Sequence, residues 1–140
     1  MRCCRLPNLF LCLFVFLRLS RADVGTATYY NPPYVPATAC YGRDESAFPA
    51  NKLFAAASDG IWDNGAACGR EYEVRCLSGP LRQACQVGTT IQVTVVDYME
   101  TSVSRPARPG STLALSVNAF AMITNTSVPS QVVNVEFQPS

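Results

Sequence analysis

Acid–base chemistry in this chain rests on carboxylates, because its 140 residues hold ten Asp and Glu side chains and no histidine. Without histidine, a Ser-His-Asp triad, a Cys-His dyad and a histidine-ligated metal are excluded. No phosphate-cradling glycine loop is present, so nucleotide chemistry has no support. What remains is carboxylate chemistry, and it needs a pair: glycoside hydrolysis uses one carboxylic acid to protonate the leaving oxygen and one carboxylate to activate water or attack. Asp97 is the prominent candidate, since it ends the apolar run 90–96 (TIQVTVV). An aspartate in that place equally serves as a turn-former that accepts backbone N–H bonds. Asp63 and Glu100 are further acids that could serve beside it. Trp62, the one tryptophan, is either an exposed platform for a ring or a core anchor.

The cysteines set the compartment. Residues 1–22 read as a secretory signal peptide: Arg2 and Arg5 precede the apolar run 9–17, and residues 20–22 (SRA) put small side chains at a cleavage site. The run is about half the roughly 20 residues of a membrane span, so no membrane insertion is expected. Four arginines and three cysteines (Cys3, Cys4, Cys12) leave with this segment, so the mature domain, residues 23–140, carries seven basic and ten acidic side chains. A net charge of −3 gives no reason to expect nucleic-acid binding. Cys40, Cys68, Cys76 and Cys85 remain, an even number that argues for two disulfides in an exported domain. No CxxC pair supports a zinc site, and no metal or cofactor is expected. Three pairings are open in principle; chain proximity favours Cys76–Cys85 and leaves Cys40–Cys68. Each bridge is worth on the order of 3 kcal/mol by loop entropy.

The elements that must position these groups are mostly strands. Residues 25–30 (GTATYY), 72–76, 90–96 and 131–137 alternate or run apolar as strands do, whereas 52–57 (KLFAAA) reads as one helical turn. Ser116 caps a helix whose apolar face is Val117, Phe120, Ala121 and Met122 or Ile123. Two prolines and a glycine make 103–110 (VSRPARPG) an exposed loop. The expectation is one mainly β domain with one short helix, and a monomer.

Residues 64–76 (NGAACGREYEVRC) join an Asn-Gly turn to a cysteine-pinned strand. Together with GTATYY, CYG, IWDNGAACG, VTVVD, LSVNAFAMI and VNVEF, in this order, they resemble the first domain of plant expansins and, more closely, the plant natriuretic peptides. The resemblance covers nearly all of residues 23–140. It implies a six-stranded double-psi β-barrel with the disulfides Cys40–Cys68 and Cys76–Cys85. It also implies a ligand groove containing Thr28, Tyr30 and Asp97, with Trp62 as its aromatic, although Thr28 and Tyr30 read equally as ordinary strand residues. In the lytic relatives, the family-45 endoglucanases, two aspartates flank that groove. Here residues 111–116 read STLALS where natriuretic-type sequences read TIDLS, so Ala114 stands at the second acid. A cysteine pair that commonly follows the strand-end aspartate is also missing from 99–103, and the loop 105–110 is longer.

These features point to a secreted, non-enzymatic protein of the plant apoplast. The resemblance implies signalling in water and ion balance and in stress or defence. It places the activity within residues 40–65, where Tyr41, Arg43, Asp44 and Glu45 are candidates to meet a cell-surface receptor. The alternative is an expansin-like, wall-modifying protein that binds cell-wall polysaccharide without cutting it. Asn125-Thr126-Ser127 is an N-glycosylation sequon, with Asn125 the acceptor.

Overall fold

The computed structural model describes residues 22–34, 37–102 and 105–140, so nearly all of the expected leader, residues 35–36 and residues 103–104 lie outside the described residues. Six strands close into a barrel: β1 (Asp23–Tyr30), β2 (Phe54–Ala57), β3 (Glu71–Ser78), β4 (Thr90–Tyr98), β5 (Leu113–Ser116) and β6 (Val132–Pro139). The order around the barrel is β1-β5-β2-β4-β3-β6. Pairs β1–β5 and β2–β4 are parallel and the other four antiparallel. Closure leaves no unpaired sheet edge to template aggregation. Ile91, Val93 and Val95 of β4 alternate into the interior, where Tyr72 and Val74 of β3 and Val133, Val135 and Phe137 of β6 meet them. Each such side chain contributes about 1.5–3 kcal/mol by leaving water.

Three sequence expectations change. Residues 52–57 are not a helical turn. Phe54–Ala57 is a strand buried at all four positions, between antiparallel β5 and parallel β4. Alanine favours helix by only tenths of a kcal/mol per residue, and burial on both faces overrides that. Instead of one helix there are two among the described residues. The first, α1 (Asp59–Trp62), is a single turn after β2, and the second is α2 (Val117–Ile123). In α2 the buried face is Ala119, Phe120 and Ile123, while Ala121 is exposed and Met122 is 47 % exposed. Its cap is as expected: the Ser116 hydroxyl accepts the Ala119 N–H at 3.1 Å.

Both disulfides are formed, Cys40–Cys68 and Cys76–Cys85, each with Cα atoms 5.4 Å apart. The first ties the segment between β1 and β2 to the turn before β3. That turn needs left-handed backbone at Asp63, Asn64 and Gly65 (φ 53°, 52° and 93°), which Asn and Gly adopt most readily. Gly25 serves a different purpose. A Cβ there would sit 2.5 Å from the Thr112 Oγ1 atom, which accepts the Thr26 N–H at 3.0 Å. Gly25→Ala should therefore cost about 1–3 kcal/mol through overpacking. A urea midpoint within error of the unchanged protein would refute this close approach.

Candidate functional site

Asp97 owes its position to a bulge. The β2–β4 register runs Ala55↔Val95 and then Ala56↔Asp97, so Val96 is skipped. Adjacent valines can then both be buried, Val95 in the barrel interior and Val96 in a second apolar cluster with Tyr30, Phe54, Ala56 and Ala114. Asp97 is 2 % exposed, the one charged side chain buried among the described residues. Its Oδ1 accepts the N–H of Tyr98 and the N–H of Ala39, both at 2.8 Å, and Ser102 bonds it as well. Burial raises its pKa, and those three hydrogen bonds, which favour the carboxylate, oppose the rise without cancelling it.

The other groove candidates are equally enclosed. Thr28 is 0 % exposed; its hydroxyl donates to the Gln131 carbonyl at 2.6 Å and accepts the Arg108 N–H at 3.1 Å. Tyr30 is 1 % exposed and its hydroxyl has no hydrogen-bond partner. Burial, with the nearby Asp97 and Tyr34 adding to it, holds that phenol far above its ordinary pKa, so it stays neutral. Ala114 is 1 % exposed and packs its methyl in the cluster with Tyr30, Phe54, Ala56 and Val96. Tyr34, Tyr41, Phe48 and Met99 lie over this cluster. The face that the resemblance assigns to a groove is thus lidded by residues of the 31–53 segment and by Met99.

Trp62 stands apart from that face. It is half-buried, its ring 4.8 Å from that of Tyr98, and the Tyr98 hydroxyl donates to Asp59. Asp97 and Tyr98 are neighbours along β4, so their side chains leave the strand in opposite directions and Trp62 does not join Asp97. Asp63 is exposed and pairs with Arg70 at 3.3 Å, a surface contact of small energetic worth.

The 31–53 segment divides by exposure. Tyr41 is half-buried, 6.5 Å from the Phe48 ring, while Arg43, Asp44 and Glu45 are exposed. Asp44 caps a 3-10 turn, Glu45–Ala47, by accepting the Ser46 N–H at 3.0 Å. Thr38 and Gly42 exchange backbone hydrogen bonds at 2.9 Å, and the Thr38 hydroxyl accepts the Tyr41 N–H. Asn125 follows α2 and accepts the Ser127 N–H at 3.1 Å. No set of three metal-ligating side chains exists among the described residues, and no helix there is long and apolar enough to cross a membrane. The sequence reading missed Tyr34, Phe48 and Phe54 as a unit. They fall within one stretch of the chain without periodic spacing, and the one signal was the density of aromatics in a loop rich in proline.

Residues 54–137 match the double-psi β-barrel family described as lytic transglycolase. EG45-like domain containing protein 2 of Arabidopsis thaliana is 36 % identical over 110 residues, covering 77 % of this chain and 75 % of its own. The EG45-like domain containing protein of Citrus jambhiri is 39 % identical over 108 residues, covering 74 % and 72 %. Among solved structures, a mutant Clavibacter michiganensis expansin in complex with cellohexaose and the apo form of that expansin both superpose with a TM-score of 0.59 at 21 % identity. The match covers 86 % of this chain and 50 % of the expansin, so the chain spans about half of that protein's length. The barrel topology, the disulfide-tied segment and these relatives agree: the chain belongs to the EG45-like family of double-psi β-barrel domains.

Proposed function

We propose that this protein is secreted and non-hydrolytic, a monomeric recognition protein of the plant extracellular space of the natriuretic-peptide type. One observation carries the non-hydrolytic part. The single carboxylate buried among the described residues, Asp97, accepts the Ala39 N–H of the covering segment, and the position of a second acid is the methyl of Ala114 under that cover. Losing general-acid help alone costs about 10²–10⁴-fold in rate. No reducing ends should be released from cellulose or xylan, and no muropeptide fragments from peptidoglycan; turnover on any of these would refute it.

The signalling part rests on residues 40–52. The disulfide at Cys40 and the Ala39 bond to Asp97 hold this segment on the barrel, and Arg43, Asp44 and Glu45 face water. A pre-organised loop loses less conformational freedom when a receptor engages it. Arg43→Ala combined with Asp44→Asn removes two charges and keeps an oxygen to cap the 3-10 turn. This variant should lose protoplast swelling and cyclic-GMP responses while its fold is unchanged by near-UV circular dichroism. Full retention of both responses would sink the receptor reading.

A second reading has support of its own. The superposable expansin was solved with cellohexaose, and binding of wall polysaccharide without cleavage needs no second acid. Co-sedimentation with insoluble cell-wall material tests it.

A further inference from the structure

We propose that a cleft beside the lidded face, walled by Tyr34, Phe48 and Phe54 and rimmed by Glu45, Lys52 and Asn118, binds a neutral pyranose chain. This rests on the second reading and moves its site. Thr28, Tyr30 and Asp97 are 0, 1 and 2 % exposed, so no polymer reaches them in this fold. The cleft is open and has a volume of about 560 Å³, within the usual range for small-ligand sites.

Its walls are fixed before any ligand arrives. Tyr34 and Phe54 meet edge to face with centroids 4.7 Å apart, and Phe48 meets Phe54 at 4.9 Å. The Tyr34 hydroxyl donates to the Tyr30 carbonyl at 3.0 Å and accepts the Val117 N–H at 3.2 Å, which locks the ring. Phe54 forms the floor at 2 % exposure, and Tyr34 and Phe48 are half-buried, so their rings present partial faces to the opening. Such faces suit the C–H face of a sugar ring.

The rim selects the ligand class. An ionised glutamate only accepts, a lysine ammonium only donates, and an asparagine amide does both. A hydroxyl both donates and accepts, so a ring of hydroxyls answers all three. Glu45 and Lys52 make no ion pair with each other among the described residues, and their charges sum to zero, so an acidic polymer gains nothing here. A poly-proline segment carries carbonyl acceptors and no N–H donors, so it answers Lys52 and leaves the Glu45 carboxylate without a donor.

The test uses the intact secreted protein titrated with cellohexaose, xylohexaose, mannohexaose, oligogalacturonate and a poly-proline peptide, followed by calorimetry and amide NMR. At least one neutral hexasaccharide should saturate the protein, with shifts concentrated at 45–54 and 117–118. Glu45→Ala with Lys52→Ala, both exposed positions, should weaken that Kd by about tenfold or more. Phe48→Ala should do likewise, and Arg75→Ala on the β3–β6 surface should not. Hexasaccharide binding that the cleft variants leave as tight as before overturns this site while the polysaccharide reading stands. Tighter binding of oligogalacturonate or poly-proline in the cleft overturns the ligand class. Failure of every saccharide, together with no co-sedimentation with wall material, overturns both.

Discussion

Ala114→Asp is expected to destabilise the barrel by about 3–5 kcal/mol at neutral pH, the scale of an uncompensated buried charge, and to give no glycan hydrolysis. On sequence grounds the same change restores the missing acid of the lytic relatives. The surroundings decide otherwise. Ala114 is 1 % exposed on β5, between Thr28 of β1 and Ala56 of β2, and packs with Tyr30, Phe54 and Val96. The Tyr30 hydroxyl, which lacks a partner, is a donor in that cluster, and one hydrogen bond does not offset burial of an ion. The new carboxyl would also share the cluster's margin with Asp97, and both burial and a nearby like charge raise a carboxyl pKa. The sign follows: a native pKa above the unfolded one means that the native state binds the extra proton, so the variant loses stability as pH rises through that interval. Urea unfolding of the variant and the unchanged protein from acid to neutral pH should show a deficit that widens with pH. A variant as stable as the unchanged protein at neutral pH would mean that solvent reaches Ala114 and that residues 34–54 do not cover this face.

What the sequence disclosed and what it hid divide by the range of the interactions. The Ser116 cap is local, three residues from its donor, and was legible. So was β4, whose alternating Ile91, Val93 and Val95 fill the interior. The pairing Cys76–Cys85 spans nine residues and followed from chain proximity. By contrast, β2 was hidden because Ala55, Ala56 and Ala57 carry a helical preference that only their two flanking strands override. The cover over the Tyr30 face was hidden for the same kind of reason. Its central bond, from Ala39 to Asp97, joins residues 58 apart, and no periodicity reports such a contact. Asp97 was open to two readings, and the geometry gives it the work of a turn-former that also reaches a distant loop. The residues alone pointed to a mainly β domain and the resemblance implied the barrel; the identity of the segment lying across it came only from the three-dimensional arrangement.

Asp97→Ala is expected to cost about 1–3 kcal/mol, because it removes the acceptor of the part-buried Ala39 and Tyr98 N–H bonds, each worth about 0.5–1.5 kcal/mol, whereas Asp97→Asn should cost far less. The asparagine keeps an oxygen in reach of both donors, now 2.8 Å from the Asp97 Oδ1, and it removes a charge that burial already disfavours. The Ala39 amide sits next to Cys40, so its loss as an anchor should appear as faster hydrogen exchange across residues 38–42 in the alanine variant. The two variants also separate charge from geometry. Asp97 has a native pKa above its ordinary 3.8, so the unchanged protein should lose stability as pH climbs from below that value to the raised one, and then level off. The asparagine variant should lack that part of the slope. Equal losses in the two variants, with the slope gone from both, would show that the ionised charge holds the segment down rather than the oxygen that accepts from Ala39.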